Sequence, residues 1–315
     1  MGKPRAREED LLHLPTSLAA SDKGTQVGEG ISEQTAERRA LTPVALSPEH
    51  LPQALALSQA LQWPYRLEDW AFALALGRGV AVEIDARLVG TALWWPYGQD
   101  HASAGMIIVA ADAQRMGIGR TLMEALLADA AGRSMILNST REGFSLYKSL
   151  GFVESGHVHQ HQAVLTQAPA LDPASATRPF RAADLETIRR LDHAASGMER
   201  AALIDALFGI AEVKVLERDG VVCGYACARA WGRGIVIGPV VAETAAQARE
   251  LVSALAAPHV GRFVRLDVTS ACGLSPWLEA IGLPQVDQVV AMTRGEPPRS
   301  SAHATVFALA NQSLG

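Results

Sequence analysis

Apolar positions recur every third or fourth residue at 48–61 and 67–76, the period of a helix with one buried face. Each run follows a proline or opens on acidic residues, as helix starts do. At 79–85 and 87–95 the pattern changes to β-branched and aromatic residues on either side of Asp85-Ala86, which predicts two strands joined by a tight turn. Short strands are also expected at 41–47 and 104–110. Residues 111–127 return to helical spacing, with Leu122, Met123, Leu126 and Leu127 on one face. A buried strand at 134–140, a short helix at 142–151 and a closing strand at 152–165 complete a β-α-α-β-β-β-α-β-α-β order.

Residues 1–40 are polar and mixed in charge, with a weak apolar patch at Leu11 and Leu12, and read as a disordered or loosely ordered extension. The Pro, Ala, Ser and Asp content of 166–177 reads as a linker. The order then repeats. Strand and helix are expected at 178–191, a hairpin through Asp219-Gly220 at 211–231, strand and helix at 235–255, a strand at 262–270 and a short helix at 272–283. Leu122 matches Leu251 and Leu137 matches Leu266, both 129 residues apart. Such an internal duplication is too long for a solenoid and suits two sibling domains. The expected division is therefore 41–166 and 178–295, joined by a linker at 167–177, with 296–315 a tail that has room for one last strand.

Composition narrows the class. Hydrophobic residues at 49% against 19% charged allow a well-buried core. A net charge of −5 gives no basic excess for a phosphate backbone, so nucleic acid is not an expected partner. No run of about 18 apolar residues predicts a membrane span. The first residues lack an apolar signal core, and Ala6 stands where N-acylation after Met1-Gly2 needs a hydroxyl residue. Cys223, Cys227 and Cys272 form neither a disulfide framework nor a zinc site, which points to a reducing cytoplasm.

The chemistry concentrates at Gly117 and Gly119, where an apolar strand gives way to a helix. Free backbone N–H groups and the helix dipole meet there, and glycine lets an anion approach closely. A plain strand-to-helix turn would look the same. The stretch is neither a nucleotide P-loop, since no Gly-Lys-Ser/Thr follows, nor a three-glycine dinucleotide fingerprint.

The six residues Gln114-Arg115-Met116-Gly117-Ile118-Gly119 resemble the acetyl-CoA signature Q/R-x-x-G-x-G/A of the GNAT N-acetyltransferase superfamily. Residues 145–152, a helix carrying Tyr147 and ending in Leu-Gly-Phe, resemble that family's second motif. The resemblance covers 41–166 strongly and 178–295 through the duplication. It implies a tandem GNAT protein: an α/β (α+β) chain of two GNAT folds, each a mixed, mostly antiparallel sheet flanked by helices around a splayed central strand pair. It also implies acetyl-CoA as co-substrate. The backbone of Arg115, Met116, Gly117, Ile118, Gly119 and Arg120 would hold its pyrophosphate, with Gln114 bracing the loop and Thr121 close by. Ile108 and Val109 would present backbone to the pantetheine, and Tyr147 would be the general acid for the leaving thiolate. Asn138 could bond the pantetheine arm or simply cap a strand end.

By the same spacing Gly117 falls on Ala246, Gly119 on Ala248 and Gln114 on Glu243, while Leu278 takes the place of Tyr147. A glutamate and two Cβ atoms oppose a pyrophosphate, so the second copy is expected to be degenerate. Gly238-Pro239, in place of Val109-Ala110, still suggests a splayed strand. The second copy could complete the fold, line the acceptor site or dimerise. A general base is not legible; Glu83, Asp100 and His101 are candidates, each read first as a solvated charge, and a water chain could replace them all. Trp94, Trp95 and Tyr97 could wall an acceptor pocket or belong to the core. His157, His159 and His161 share a strand face about 7 Å apart, too wide for three ligands on one ion, and no metal is expected. The expected function is transfer of an acetyl group to a primary amine on a small molecule. The alternatives are a regulatory acyl-CoA-binding protein without turnover and an acetyltransferase of proteins or peptides; a homodimer is left open.

Overall fold

The structure, a computed structural model, describes residues 41–171, 175–301 and 303–315. The extension read at 1–40 lies outside the described residues. The first copy comprises β1 (Val44–Ala45), α1 (Leu51–Ala60), α2 (Leu67–Leu76), β2 (Arg78–Ile84), β3 (Arg87–Tyr97), β4 (His101–Val109), α3 (Ile118–Asp129), β5 (Ser134–Ser139), α4 (Phe144–Ser149) and β6 (Val153–Val164). The second comprises β7 (Thr177–Pro179), α5 (Leu185–Ser196), α6 (Ala201–Phe208), β8 (Glu212–Arg218), β9 (Val221–Trp231), β10 (Gly234–Ala242), α7 (Ala245–Ala256), β11 (Phe263–Thr269), α8 (Ser275–Ala280) and β12 (Gln285–Arg294). The tail adds β13 (Thr305–Ala308). No helix of the described residues is long and apolar enough to cross a membrane.

Four elements differ from the pattern in the sequence, one of them β12, since the pattern of the second copy ends with the helix at 272–283. β4 begins at His101 rather than at 104, because its first half, His-Ala-Ser-Ala-Gly, is too small and polar to read as an apolar strand. α6 is a helix that the pattern does not announce. Its buried Leu203, Ile204 and Leu207 have the spacing, but Arg200 at its N-cap is not a capping residue type. Thr177, placed in the linker by composition, opens β7.

Two hairpins set the register. Asp85 and Ala86 take φ of 51° and 62°, and Asp219 and Gly220 take 49° and 76°, the left-handed pair that a two-residue turn with matching twist requires. α3 then buries Leu122, Met123 and Leu126 on β2–β4, and α7 buries Leu251, Val252 and Leu255 on the corresponding strands of the second copy.

The two copies share one sheet, in the order β1-β2-β3-β4-β5-β12-β6-β11-β13-β10-β9-β8-β7. β12 of the second copy lies between β5 and β6 of the first, pairing Val290 with Ser139 and with His157. Reciprocally, β6 of the first copy lies between β11 and β12 of the second. The last strand of each copy thus fills a place in the sheet of the other.

Candidate active site

β4 and β5 run parallel from His101 opposite Ser134 to Ala104 opposite Leu137, and then part. A register shift in the β3–β4 ladder lies at the same point, where Met106 takes φ of 50° and its carbonyl accepts from Thr91 Oγ1 at 2.9 Å. The backbone at 105–107 is thereby turned away from β5, opening a V between the strands.

At the far end of β4 the chain makes the glycine turn. Arg115 and Gly117 both have positive φ, 64° and 88°. The first intrahelical bond of α3 runs from Thr121 N–H to the Gly117 carbonyl, so the N–H groups just before it face outward. Thr121 Oγ1 also donates to that carbonyl at 3.3 Å, and Gln114 Nε2 donates to the Val109 carbonyl at 3.5 Å. A Cβ added at Gly117 would meet nothing within 4 Å, whereas one at Gly119 would lie 3.3 Å from Leu146. The loop therefore offers open space before a bare helix N-terminus, which fits a pyrophosphate.

A cavity of about 280 Å³ opens from the V into the seam between the copies. Tyr147 and Asn138 line it from the first copy, and Trp231, Arg233, Arg265 and Asp287 line it from the second. Tyr147 is buried, and its hydroxyl has no hydrogen-bond partner among the described residues. Burial pushes its pKa well above the ordinary phenol value, so it stays protonated at neutral pH. Asn138 donates through Nδ2 to the carbonyl of Gln312 at 2.8 Å. Ile108 and Val109 do not line the cavity. Ile108 points into the core and pairs with Thr91, and residues 105–107 line the cavity instead.

Other sequence candidates fall elsewhere. Glu83 meets His50 at 3.6 Å, outside the cavity. Asp100 and His101 sit at the opposite end of β4 from the glycine turn; the Asp100 carbonyl accepts from Ser134 N–H, and His101 Nε2 is buried without a partner among the described residues. Arg78 and Arg133 both stand over the Trp94 ring, Trp95 donates to the Ala73 carbonyl and Tyr97 to that of Leu314. All three are core residues. The aromatic walls come instead from Trp63, Tyr65, Trp231 and Phe263. Trp63 and Tyr65 lie in "QWPYR" between two helices, where a proline flanked by aromatics was the available signal.

His159 and His161 face the other side of the sheet and converge on Ser275 at the start of α8, each 3.0 Å from its Oγ. The Leu283 carbonyl, 2.9 Å from Nδ1 of His161, can only accept, so that nitrogen carries a proton and donates. Desolvation and the neighbouring imidazoles lower the pKa of His159. This face joins the two copies; among the described residues no cluster of three metal-ligating side chains occurs.

The second copy closes its equivalent site twice. Thr244 caps α7, accepting from Gln247 N–H, while Gln247 Oε1 accepts from the N–H groups of Glu243 and Thr244. α7 begins at Ala245, so Ala246 lies inside the helix and the anion-facing loop is gone. β10 and β11 also part after Val236 opposite Arg265, but β13 fills the gap, pairing Val241 with Val306 and Val268 with Ala308. Gly238 meets the Leu309 carbonyl so closely that no Cβ would fit. Leu278, at the place of Tyr147, is wholly buried.

Residues 76–154 match the family description "Acetyltransferase (GNAT) domain", and residues 188–308 match a second model of the same description. The uncharacterized N-acetyltransferase YitH of Bacillus subtilis (strain 168) is 25% identical over 279 residues, covering 86% of this chain and 98% of that protein. Among solved structures, a putative acetyltransferase from Pyrococcus horikoshii superposes with a TM-score of 0.75 at 17% identity, over 88% of this chain and 96% of the other. A tandem GNAT protein from the clavulanic acid biosynthesis pathway gives 0.58 at 15% identity, over 80% and 98%.

Proposed function

This chain belongs to the GNAT acetyltransferases and carries two of their domains in tandem, and from that premise we propose one working active site, in the first copy, that acetylates a primary amine on a small molecule. The observation that carries the reading is the asymmetry of the two V-shaped gaps: the first opens into a cavity beside Tyr147, and the second is filled by β13. The second copy then supplies the far wall of the acceptor pocket.

In this reading the N–H groups of 115–120 and the dipole of α3 hold the pyrophosphate of acetyl-CoA, with Gln114 steadying the loop. Ile108 and Val109 carry β4 toward that loop, and the backbone of 105–107 faces the thioester. The acceptor amine attacks the thioester carbon to form the C–N bond, and backbone donors stabilise the oxyanion. As the C–S bond breaks, the nitrogen gives its extra proton to solvent water, from which the Tyr147 phenol is reprotonated. Tyr147 gives its proton to the departing thiolate, and the buried phenol is still protonated when the thiolate forms. The pocket is enclosed by side chains of both copies, which favours a small molecule over a polypeptide.

Calorimetric titration of acetyl-CoA tests this, beside a Gly117→Glu, Gly119→Glu double variant, followed by thiol release with a panel of amines. One site per chain, lost in the variant, together with amine-dependent thiol release, is the expected result. Two sites, or none in a folded protein, would overturn it.

A further inference from the structure

Among the described residues the cavity is lined by three charged side chains, Arg233, Arg265 and Asp287, all from the second copy. Arg265 is fixed. Its Nε donates to both oxygens of Asp267 at 3.1 Å and its Nη2 to Oδ1 at 2.9 Å. Asp267 is fully buried and also accepts from Gln312 Nε2 at 3.1 Å. This arrangement consumes Nε and one Nη2 hydrogen. The Nη1 hydrogens and the second Nη2 hydrogen have no protein acceptor among the described residues, although the side chain is only 20% exposed. A guanidinium immobilised on one edge and free on the other matches the two oxygens of a carboxylate.

Arg233 stands over the Phe263 ring at 5.1 Å and has no carboxylate partner among the described residues. Asp287 lies on β12 opposite Gln160 and accepts from the neighbouring Gln288 N–H. Asp267 offsets Arg265, Asp287 also acts on that guanidinium, and Arg233 and Asp287 are exposed at the pocket's edge, so the pocket carries both signs. A molecule with an ammonium and a carboxylate suits it, whereas a polyamine finds one carboxylate and two guanidiniums. Gln312 gives the orientation. Its carbonyl accepts from Asn138 at the V, and its side chain reaches Asp267 beside Arg265, so the arginine end and the thioester end lie on either side of one residue.

We infer that the acceptor is a primary amine that also carries a carboxylate, the carboxylate seated on Arg265 with Arg233 and the amine directed past Gln312 toward Tyr147. This rests on the reading of the cavity as the acceptor pocket. The second copy, silent toward acetyl-CoA, is thus the half that selects the acceptor.

The test uses the full chain and matched series of unbranched and aryl-substituted amino acids, with the amino alcohol, diamine and aminoalkyl phosphonate of each length. Thiol release gives kcat and KM. Thermal shift at saturating acetyl-CoA, with carboxylates that lack an amine, reads the seat without turnover. Amino acids are expected to exceed the matched amino alcohols at least tenfold in kcat/KM, chiefly through KM. In Arg233→Gln that ratio falls tenfold or more; in Arg265→Lys it falls as well, with the ammonium still able to meet Asp267. Equal kcat/KM with and without the carboxylate, preference for diamines or phosphonates, or a ratio unmoved in Arg233→Gln would overturn the inference. Absence of turnover with every amine, alongside a carboxylate-dependent thermal shift lost in Arg233→Gln, would sink the enzymatic reading and leave the carboxylate seat standing. Neither turnover nor shift would sink both.

Discussion

Asp69 of the first copy accepts a hydrogen bond from the backbone N–H of Gly232 in the second at 2.7 Å. The same carboxylate, 1% exposed, accepts from the backbone N–H and guanidinium of Arg66, and Arg66 in turn donates to the Ala230 carbonyl. The α1–α2 loop is thereby pinned to the β9–β10 turn, which brings Tyr65 against Trp231 with ring centroids 6.2 Å apart. Removing the carboxylate leaves the part-exposed Arg66 guanidinium without its partner and strands the Gly232 backbone donor. Asp69→Ala should lower unfolding stability by about 3 kcal/mol. It should also raise the acceptor KM more than the acetyl-CoA Kd. Chemical denaturation and steady-state kinetics check both, and an unchanged acceptor KM would detach this loop from the pocket.

Tyr147→Phe removes a hydroxyl that no group among the described residues holds. Stability and acetyl-CoA affinity should be preserved, while kcat falls by roughly 10²–10⁴-fold if the phenol is the acid. A variant as fast as the parent would reassign the proton donor to water.

Gly117 has φ of 88° with open space around it. Gly117→Ala should therefore lower stability through backbone strain alone, by about 1–2 kcal/mol. Gly117→Asn should lose less, since asparagine tolerates the left-handed region better. Thermal melts of the two variants side by side check the order; equal losses would mean that the turn rearranges.

Phe307 of β13 is buried in the core of the second copy. Phe307→Ala should cost about 3–4 kcal/mol. Acetyl-CoA stoichiometry should stay at one per chain, because the capped α7 still offers no seat. A second site appearing in calorimetry would show that β13 alone keeps the second gap silent.

Burial raises the Cys227 thiol and the Tyr97 phenol each to about 12. Their folded values lie above the unfolded ones, so their contribution is complete below pH 9 and is lost as pH rises toward 12. Arg229, lowered to about 10 by burial, acts in the opposite sense above pH 10 and offsets one of the two. The decline from Cys227 amounts to about 4 kcal/mol over that span. Denaturation midpoints from pH 8 to 11 should fall from about 9 upward, and Cys227→Ser should flatten the first part of the fall.

Much of the fold is legible because its signals are local. The hairpin at Asp85-Ala86 needs two residues in the left-handed region, and α3 and α7 need apolar side chains at helical spacing. The duplication is legible because Leu122 and Leu251 serve the same face of equivalent helices. Side-chain targets were harder to read. Trp94, Trp95 and Tyr97 are large aromatics at a strand end, a description that fits a core and a pocket equally well. Ile107 and Ile108 lie on opposite faces of β4, and the bulge at Met106, which no residue type announces, decides which of them meets the cavity.

The sequence by itself determined most of the elements, α6 and β12 apart, together with the two copies, the glycine turn of the first and its loss in the second. Each element's signal lies in residues within a few positions of one another, and the duplication is the recurrence of such local patterns 129 residues apart. Only the tertiary structure decided that β6 and β12 change places, that β13 fills the second gap, and that Arg265 and Asp287 reach a pocket containing Tyr147. A period of two fixes which face a strand residue takes and leaves its neighbouring strand open. That choice is made by backbone pairing between segments more than a hundred residues apart, where hydrogen bonds are interchangeable and only the packing of the whole sheet distinguishes one partner from another.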